Sequence, residues 1–361
     1  MILHYAVRMS AIFLITAAPF FALSQNVTTP QASPAAEVSQ TIGIAKVTVQ
    51  YSRPAVKGRV VWGNLVPFGW TKQGFGNNKD APWRAGANEN STLNLSHDAT
   101  IEGKPVKAGT YGLFFVVNEN NTGEIVLSKD YRSWGSFFYE ADQDVLRAPI
   151  KLADIQHTEL LTYDFINVKK DEAVMVLNWE KKQLPVKISF DMDAIVLKNA
   201  AEELKGPLGF TWQGFLSAAQ YTLQNKTALE QGLAWANTAV AQNNSFATLS
   251  VKSGILKEMG KAEEADKIMT EAMGIATEAE LNIYGYQLLN GGMQDKAIEV
   301  LTLNTKRFPK SANTWDSLGE AFFMKGDKKN AIINFKKSIS LNPPENVKLN
   351  SEKFLKQMNA L

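Results

Sequence analysis

The sequence predicts a two-part chain, with a β-rich domain folded as an antiparallel sandwich or barrel followed by an all-α domain of helical hairpins. Three observations predict it. Residues 42–190 alternate apolar and polar side chains with a period of two. Residues beyond 209 follow helical periodicity to the end, and within them one set of side chains recurs after thirty-four residues. The 361 residues suit about two domains, and 45% hydrophobic with 20% charged residues excludes a chain disordered throughout.

Residues 1–24 read as a secretory leader. Arg8 supplies positive charge, residues 11–23 form an apolar run interrupted by Pro19, and Ala22 and Ser24 are small residues before Gln25. About thirteen apolar positions fall short of the roughly twenty that a bilayer core needs. The mature chain is therefore expected to be periplasmic or extracellular, with no stable transmembrane segment. Residues 25–41, rich in Thr, Ser, Pro and Ala, are expected to form a flexible spacer. The absence of cysteine means that the cores hold without disulfides, and it removes thiol nucleophiles and zinc-thiolate sites. The 38 basic and 36 acidic residues are well mixed and form no basic stripe, which excludes nucleic acid as a partner.

The β domain is expected over residues 42–192. Val47, Val49 and Tyr51 alternate with polar neighbours, as do Leu93 and Leu95, then Val186, Ile188 and Phe190. Residues 111–117, apolar on both faces, are the expected central strand. The turn residues of 118–123 return the chain through 124–128. A second hairpin is expected to pair residues 173–179 with 184–190. Residues 103–110 begin and end near Gly but lie between strands and lack a Lys before Thr110, so they read as a turn and not a phosphate loop.

Residues 193–208 are expected to connect the domains, with Asp193 as the cap of a helix that Gly206 and Pro207 stop. The helical domain, residues 209–361, then divides into hairpins over 210–223 with 227–241 and over 246–259 with 261–273. Two regular repeats follow. Leu281, Gly285, Leu288, Gly292, Ala297, Leu301 and Pro309 are matched by Trp315, Gly319, Phe322, Gly326, Ala331, Phe335 and Pro343, with Trp315, Phe322 and Phe335 supplying the bulk beside small Gly319 and Ala331. This spacing is similar to that of tetratricopeptide repeats. By that resemblance, the partner-binding residues are Asn282, Tyr286, Asn313, Asp316 and Glu320 on the first helices, which implies a protein or peptide partner carrying amide or basic groups. Reversing the charge of Asp316 and Glu320 is expected to weaken that binding while changing stability little, as surface substitutions do.

In the β domain, Tyr51-Ser52-Arg53-Pro54, Lys57-Gly58-Arg59, Gly63-Asn64-Leu65-Val66-Pro67-Phe68, Trp83-Arg84, Gly86-Ala87-Asn88-Glu89, Ala108-Gly109-Thr110-Tyr111 and Trp134-Gly135 together resemble the bacterial family of domain of unknown function 2911. The resemblance implies a secreted β-rich domain and no known activity. Relative to the family, residues 69–82 are an insertion whose Gly, Asn and Lys content reads as an exposed loop.

Tyr51, Arg53, Trp83, Arg84, Asn88 and Glu89 form the candidate ligand patch, since an indole beside an Arg and amide or carboxylate groups suits a sugar or a peptide end. The alternative is a buried Arg–Glu pair that locks a loop onto the sheet. His97 and His157 have no second ligand at metal spacing, no Gly-x-Ser-x-Gly elbow supplies a nucleophile, and Asp142 and Asp144 read as solvated carboxylates. No cofactor is expected. Two functions follow: an exported, non-enzymatic protein-binding scaffold, or a carbohydrate-binding module or envelope enzyme that uses residues 83–89.

Overall fold

A computed structural model describes residues 29–361. The leader read at 1–24 lies outside the described residues. The chain divides into two compact units that meet in sequence at Phe190 and Asp191.

The first unit holds two antiparallel sheets and a small hairpin. The larger sheet has the order β1 (Ala35–Ile42), β2 (Ala45–Ser52), β5 (Thr92–Leu95), β8 (Gly109–Val117), β9 (Thr122–Ser128), β10 (Asp144–Lys151). The second has the order β11 (Ala153–Ile166), β12 (Glu172–Ser189), β6 (Ala99–Ile101), β7 (Lys104–Val106), and β3 (Thr71–Lys72) pairs only with β4 (Asp80–Ala81). Neither sheet closes, so the unit is a sandwich and not a barrel. The inner faces meet where Tyr51 of β2 stands edge-on to Tyr163 of β11, with ring centroids 4.7 Å apart, and where the Tyr163 backbone N–H donates to the Tyr51 hydroxyl at 3.2 Å. As its sequence dictates, β8 is internal, with every side chain from Tyr111 to Val117 buried.

Three expectations are corrected. The spacer becomes structure at Ala35, because β1 pairs along its whole length with β2; its small and polar residues suit an edge strand with one half-exposed face. The hairpin of 173–179 with 184–190 does not exist. Those residues form the single 18-residue strand β12, in which Glu180 takes φ of +53°, and the partner is the polar strand β11. The charged run at 180–183 looked like a turn but is a bend, absorbed by register shifts in β11. Asp144 is not solvated: it accepts from the Tyr139 hydroxyl at 2.5 Å and Arg147 Nε at 2.6 Å, and burial raises its carboxyl above the usual range.

The second unit opens with α1 (Met192–Glu203). Its cap is Asp191, which accepts from the Ala194 N–H, and not Asp193; Asp193 instead accepts from the Tyr221 hydroxyl at 2.8 Å. Four hairpins follow: α2 (Trp212–Asn225) with α3 (Leu229–Gln242), α4 (Phe246–Glu258) with α5 (Ala262–Ile275), α6 (Glu278–Asn290) with α7 (Gln294–Arg307), and α8 (Ala312–Met324) with α9 (Lys328–Ser340). A last helix, α10 (Glu345–Gln357), packs on α8 and α9. The last three hairpins each turn through one left-handed glycine, Gly260, Gly292 and Gly326, and the first turns through two left-handed residues, Lys226 and Ala228.

Small residues set the approach within each hairpin. A β-carbon on Gly285 would lie 2.6 Å from Leu301, and one on Gly319 would lie 2.9 Å from the ring of Phe335, the equivalent pair thirty-four residues on. In the second hairpin Ser253 takes the glycine's place, and its hydroxyl donates to the Ala265 carbonyl at 2.8 Å. The first helices α2 and α4 pack together, as do α6 and α8. Between α5 and α6 only Ala276 and Thr277 intervene, against four residues between α7 and α8, which produces a thirty-two-residue step.

Candidate functional site

The β unit holds a cavity of about 520 Å³ that opens to solvent. Its wall is built on residues 83–88, which leave β4 and reach β8 through paired hydrogen bonds between Trp83 and Phe115, at 2.8 and 2.9 Å. Ala85, at φ +52°, turns its carbonyl to two buried hydroxyls, those of Ser91 and Tyr163, each donating at 3.0 Å. Asn88, at φ +59°, donates to Gln31 Oε1 at 2.8 Å and the Ser33 carbonyl at 3.0 Å. The loop is thereby fixed on both sides, and a fixed backbone presents Trp83 and Arg84 in one orientation.

Trp83 stacks on Trp179 of β12, with centroids 5.8 Å apart and planes at 12°, and Trp62 stands edge-on to both. The Arg84 guanidinium donates to the Asn88 carbonyl at 2.5 Å and lies over the ring of Phe137 at 5.0 Å. No carboxylate among the described residues pairs with it, so the expected Arg–Glu pair is absent; Glu89 is exposed and lines a separate depression beside β1. Burial alone pushes the Arg84 pKa down. Gly135, at φ +62°, faces this guanidinium so closely that any β-carbon would collide with it.

Of the expected patch, the structure brings Trp83, Arg84 and Asn88 together on the cavity and leaves Glu89 outside. Tyr51 is core, and Arg53 spans to β11, donating to the Leu161 carbonyl at 2.9 Å and to Thr162. Sequence reasoning missed Trp179, Arg59 and Lys72, which share the cavity. The inserted residues are exposed at 72, 74–76 and 78–80, as expected, yet the segment is tied to the sandwich. Gly69, Thr71, Lys72 and Gln73 line the cavity, Trp70 packs on Tyr139, and Asn77 donates to the Tyr139 carbonyl at 2.8 Å.

In the helical unit, Tyr286, Asp316 and Glu320 form one cluster: the Tyr286 hydroxyl donates to Glu320, and Asn350 of α10 donates to Asp316 at 2.8 Å and to Glu320 at 3.2 Å. Asp316 is 5% exposed, so it is not the solvent-facing charge that the charge-reversal expectation required. The reason is α10, whose Asn350 and Ser351 cover it. Asn313 stands half-buried without a hydrogen bond among the described residues, and Asn282 has a buried, unpaired Oδ1. The open part of this face lies at the other end. A groove of about 430 Å³ runs between α4 and α6, lined by Gln220, Phe246, Ser250, Ile283, Tyr284 and Gln287, all on first helices. The short step between these hairpins was legible, but not the opening it leaves.

His97 contacts Ser96 at 2.8 Å and His157 contacts Glu159 at 3.1 Å, both exposed. Among the described residues no three His, Cys, Asp or Glu side chains converge to hold a metal ion, and no helix is long and apolar enough to cross a membrane.

Residues 33–188 match the family model described as Protein of unknown function (DUF2911). The DUF2911 region thus covers both sheets and the whole cavity. Solved structures similar to the helical part include PilF of Pseudomonas aeruginosa (18% identity, 43% of this chain and 72% of that chain, TM-score 0.27). MamA from Desulfovibrio magneticus RS-1 is similar at 17% identity over 43% of this chain and 88% of that one, with a TM-score of 0.28. YrrB, described as a TPR protein with an unusual peptide-binding site, is similar at 16% identity over 44% of this chain and 81% of that one, also with a TM-score of 0.28. Among curated proteins none matches the sequence.

Proposed function

We propose that the protein is an exported, non-enzymatic scaffold of the cell envelope that holds an extended protein segment in the groove between α4 and α6. The observation that carries this reading is the division of the first-helix face: α10 satisfies the acidic end through Asn350 and Ser351, whereas the groove end is left uncovered. The groove offers an apolar floor from Phe246 and Tyr284 and amide edges from Gln220 and Gln287, suited to the apolar side chains and backbone amides of an extended chain. The groove's carboxylate, Glu280, accepts from the Thr277 N–H and hydroxyl that cap its own helix, so the partner is one of low charge, in place of the basic partner that an open acidic face would select. Export rests on Arg8, the apolar run of 11–23 and the small residues before Gln25.

The test is site-specific photo-crosslinking in the full chain, with the reactive residue at Ile283, 58% exposed in the groove, and at Ile333, 54% exposed on α9. A discrete protein adduct at position 283 and none at 333 is the expected result. Identical adducts at both positions, or none at 283, would sink the reading. Fractionation of the same cells, with the mature protein beginning at Gln25 in the envelope or medium, tests export; a full-length cytoplasmic protein would contradict it.

A further inference from the structure

The cavity of the β unit carries an electrostatic imbalance that the scaffold reading leaves unused. Its charged lining residues are Arg59, Lys72 and Arg84, and no carboxylate lines it. Arg59 satisfies part of its guanidinium with the carbonyls of Ala55 and Val56, Arg84 with that of Asn88, and none of the three cations forms an ion pair among the described residues. A guanidinium held half-buried against Phe137 and Gly135 without a counter-ion is costly, and an arriving anion would offset that cost. Trp83 and Trp179, stacked with their planes at 12°, line the cavity together and give it an aromatic wall of the kind on which a sugar ring packs.

From these cations and the indole wall we infer that the cavity binds a small anionic carbohydrate, a sugar carrying a carboxylate or a phosphate. The anionic group sits against Arg84 with Lys72 and Arg59 beside it, the sugar ring packs on the indole wall, and hydroxyls meet the polar groups of Thr71 and Gln73. The volume of about 520 Å³ suits a mono- or disaccharide. The site is held open by hydrogen bonds to the Ala85 carbonyl and from the Asn88 side chain that need no ligand, so binding requires little reordering.

Isothermal titration calorimetry on the full mature chain tests this with glucuronate, galacturonate and N-acetylmuramate as carboxylate probes, glucose 6-phosphate as the phosphate probe, and glucose and N-acetylglucosamine as neutral controls. Saturable binding of at least one acidic sugar, with the neutral controls at least about tenfold weaker, is expected, since losing a charge-assisted hydrogen bond costs about this factor. Which arm binds separates a carboxylate from a phosphate ligand. Arg84→Gln should weaken binding by about tenfold or more, and Lys72→Gln, at an exposed side chain with no hydrogen bond to lose, should weaken it while leaving the melting temperature unchanged. No binding by any acidic sugar, equal binding of neutral and acidic sugars, or affinity unchanged in both variants would overturn the assignment.

Discussion

The carboxylate of Asp316 on α8 accepts a hydrogen bond of 2.8 Å from the side-chain amide of Asn350 on α10. Ser351 donates to the same carboxylate. The acidic residue that the repeat pattern assigns to a partner is therefore used inside the chain, where it fixes the last helix against the last hairpin.

Replacing Asp316 with Ala should lower stability by about 1–3 kcal/mol, because the buried Ser351 hydroxyl loses its acceptor and the half-buried Asn350 amide keeps only Glu320. Urea denaturation of the full chain measures it. A change below about 0.5 kcal/mol, the range of exposed substitutions, would show that α10 does not depend on this contact.

The same residue makes a pH prediction. Burial raises the Asp316 carboxyl above its ordinary value, with Glu320 adding to the rise, while hydrogen bonds from Ser351 and Asn350 oppose it. A carboxyl raised in the folded state binds its proton more tightly there than when unfolded, so stability increases as pH falls through the folded value and levels off below about 3.9, the unfolded one. The unfolding free energy of the native chain relative to Asp316→Asn should accordingly shift in favour of the native chain between pH 7 and pH 4. A difference independent of pH would contradict the raised value.

Gly319→Leu should open the α8–α9 hairpin. Even a β-carbon there lies 2.9 Å from the Phe335 ring, and overpacking costs about 1–3 kcal/mol or more where the backbones cannot part. Adding Phe335→Ala should recover part of the loss, a coupling that additive substitutions would not show. Amide hydrogen exchange across α8 and α9 locates the change; protection equal to that of the native chain would refute the close approach.

How much of this was legible depends on the reach of each contact. Gly319 and Phe335 sit sixteen residues apart in one hairpin, and their period announces them. The strands β2 and β5 were legible from alternation, and the pairing of β8 with β9 from the turn residues between them. What failed was set by distant chain. β11 is polar along most of its length and is a strand because β12 lies beside it, while the acidic face of α8 is closed by α10, whose sequence lacks the Gly and Ala of the repeat. In the cavity, Trp83 and Arg84 stood out as neighbours, whereas Trp179 joins them from almost a hundred residues away.

Gly135→Ala should disturb the cavity without touching the sheets. The glycine has φ of +62°, which L side chains rarely adopt, and the added methyl collides with the Arg84 guanidinium. A loss of about 1 kcal/mol or more in thermal unfolding is expected, from replacing a glycine at a strained backbone position. Stability and ligand affinity both unchanged would show that Arg84 has room to move.

Trp62, Trp83 and Trp179 have ring centroids 5.8 to 6.1 Å apart in every pairing. At that separation their transition dipoles interact, which adds an exciton contribution to the circular dichroism of the three indoles. The DUF2911 region thus carries a built-in exciton couplet whose sign and size follow the angle between Trp83 and its neighbours. Light can report on the shape of this wall in the unlabelled protein, against a background of the five tryptophans that lie elsewhere in the chain.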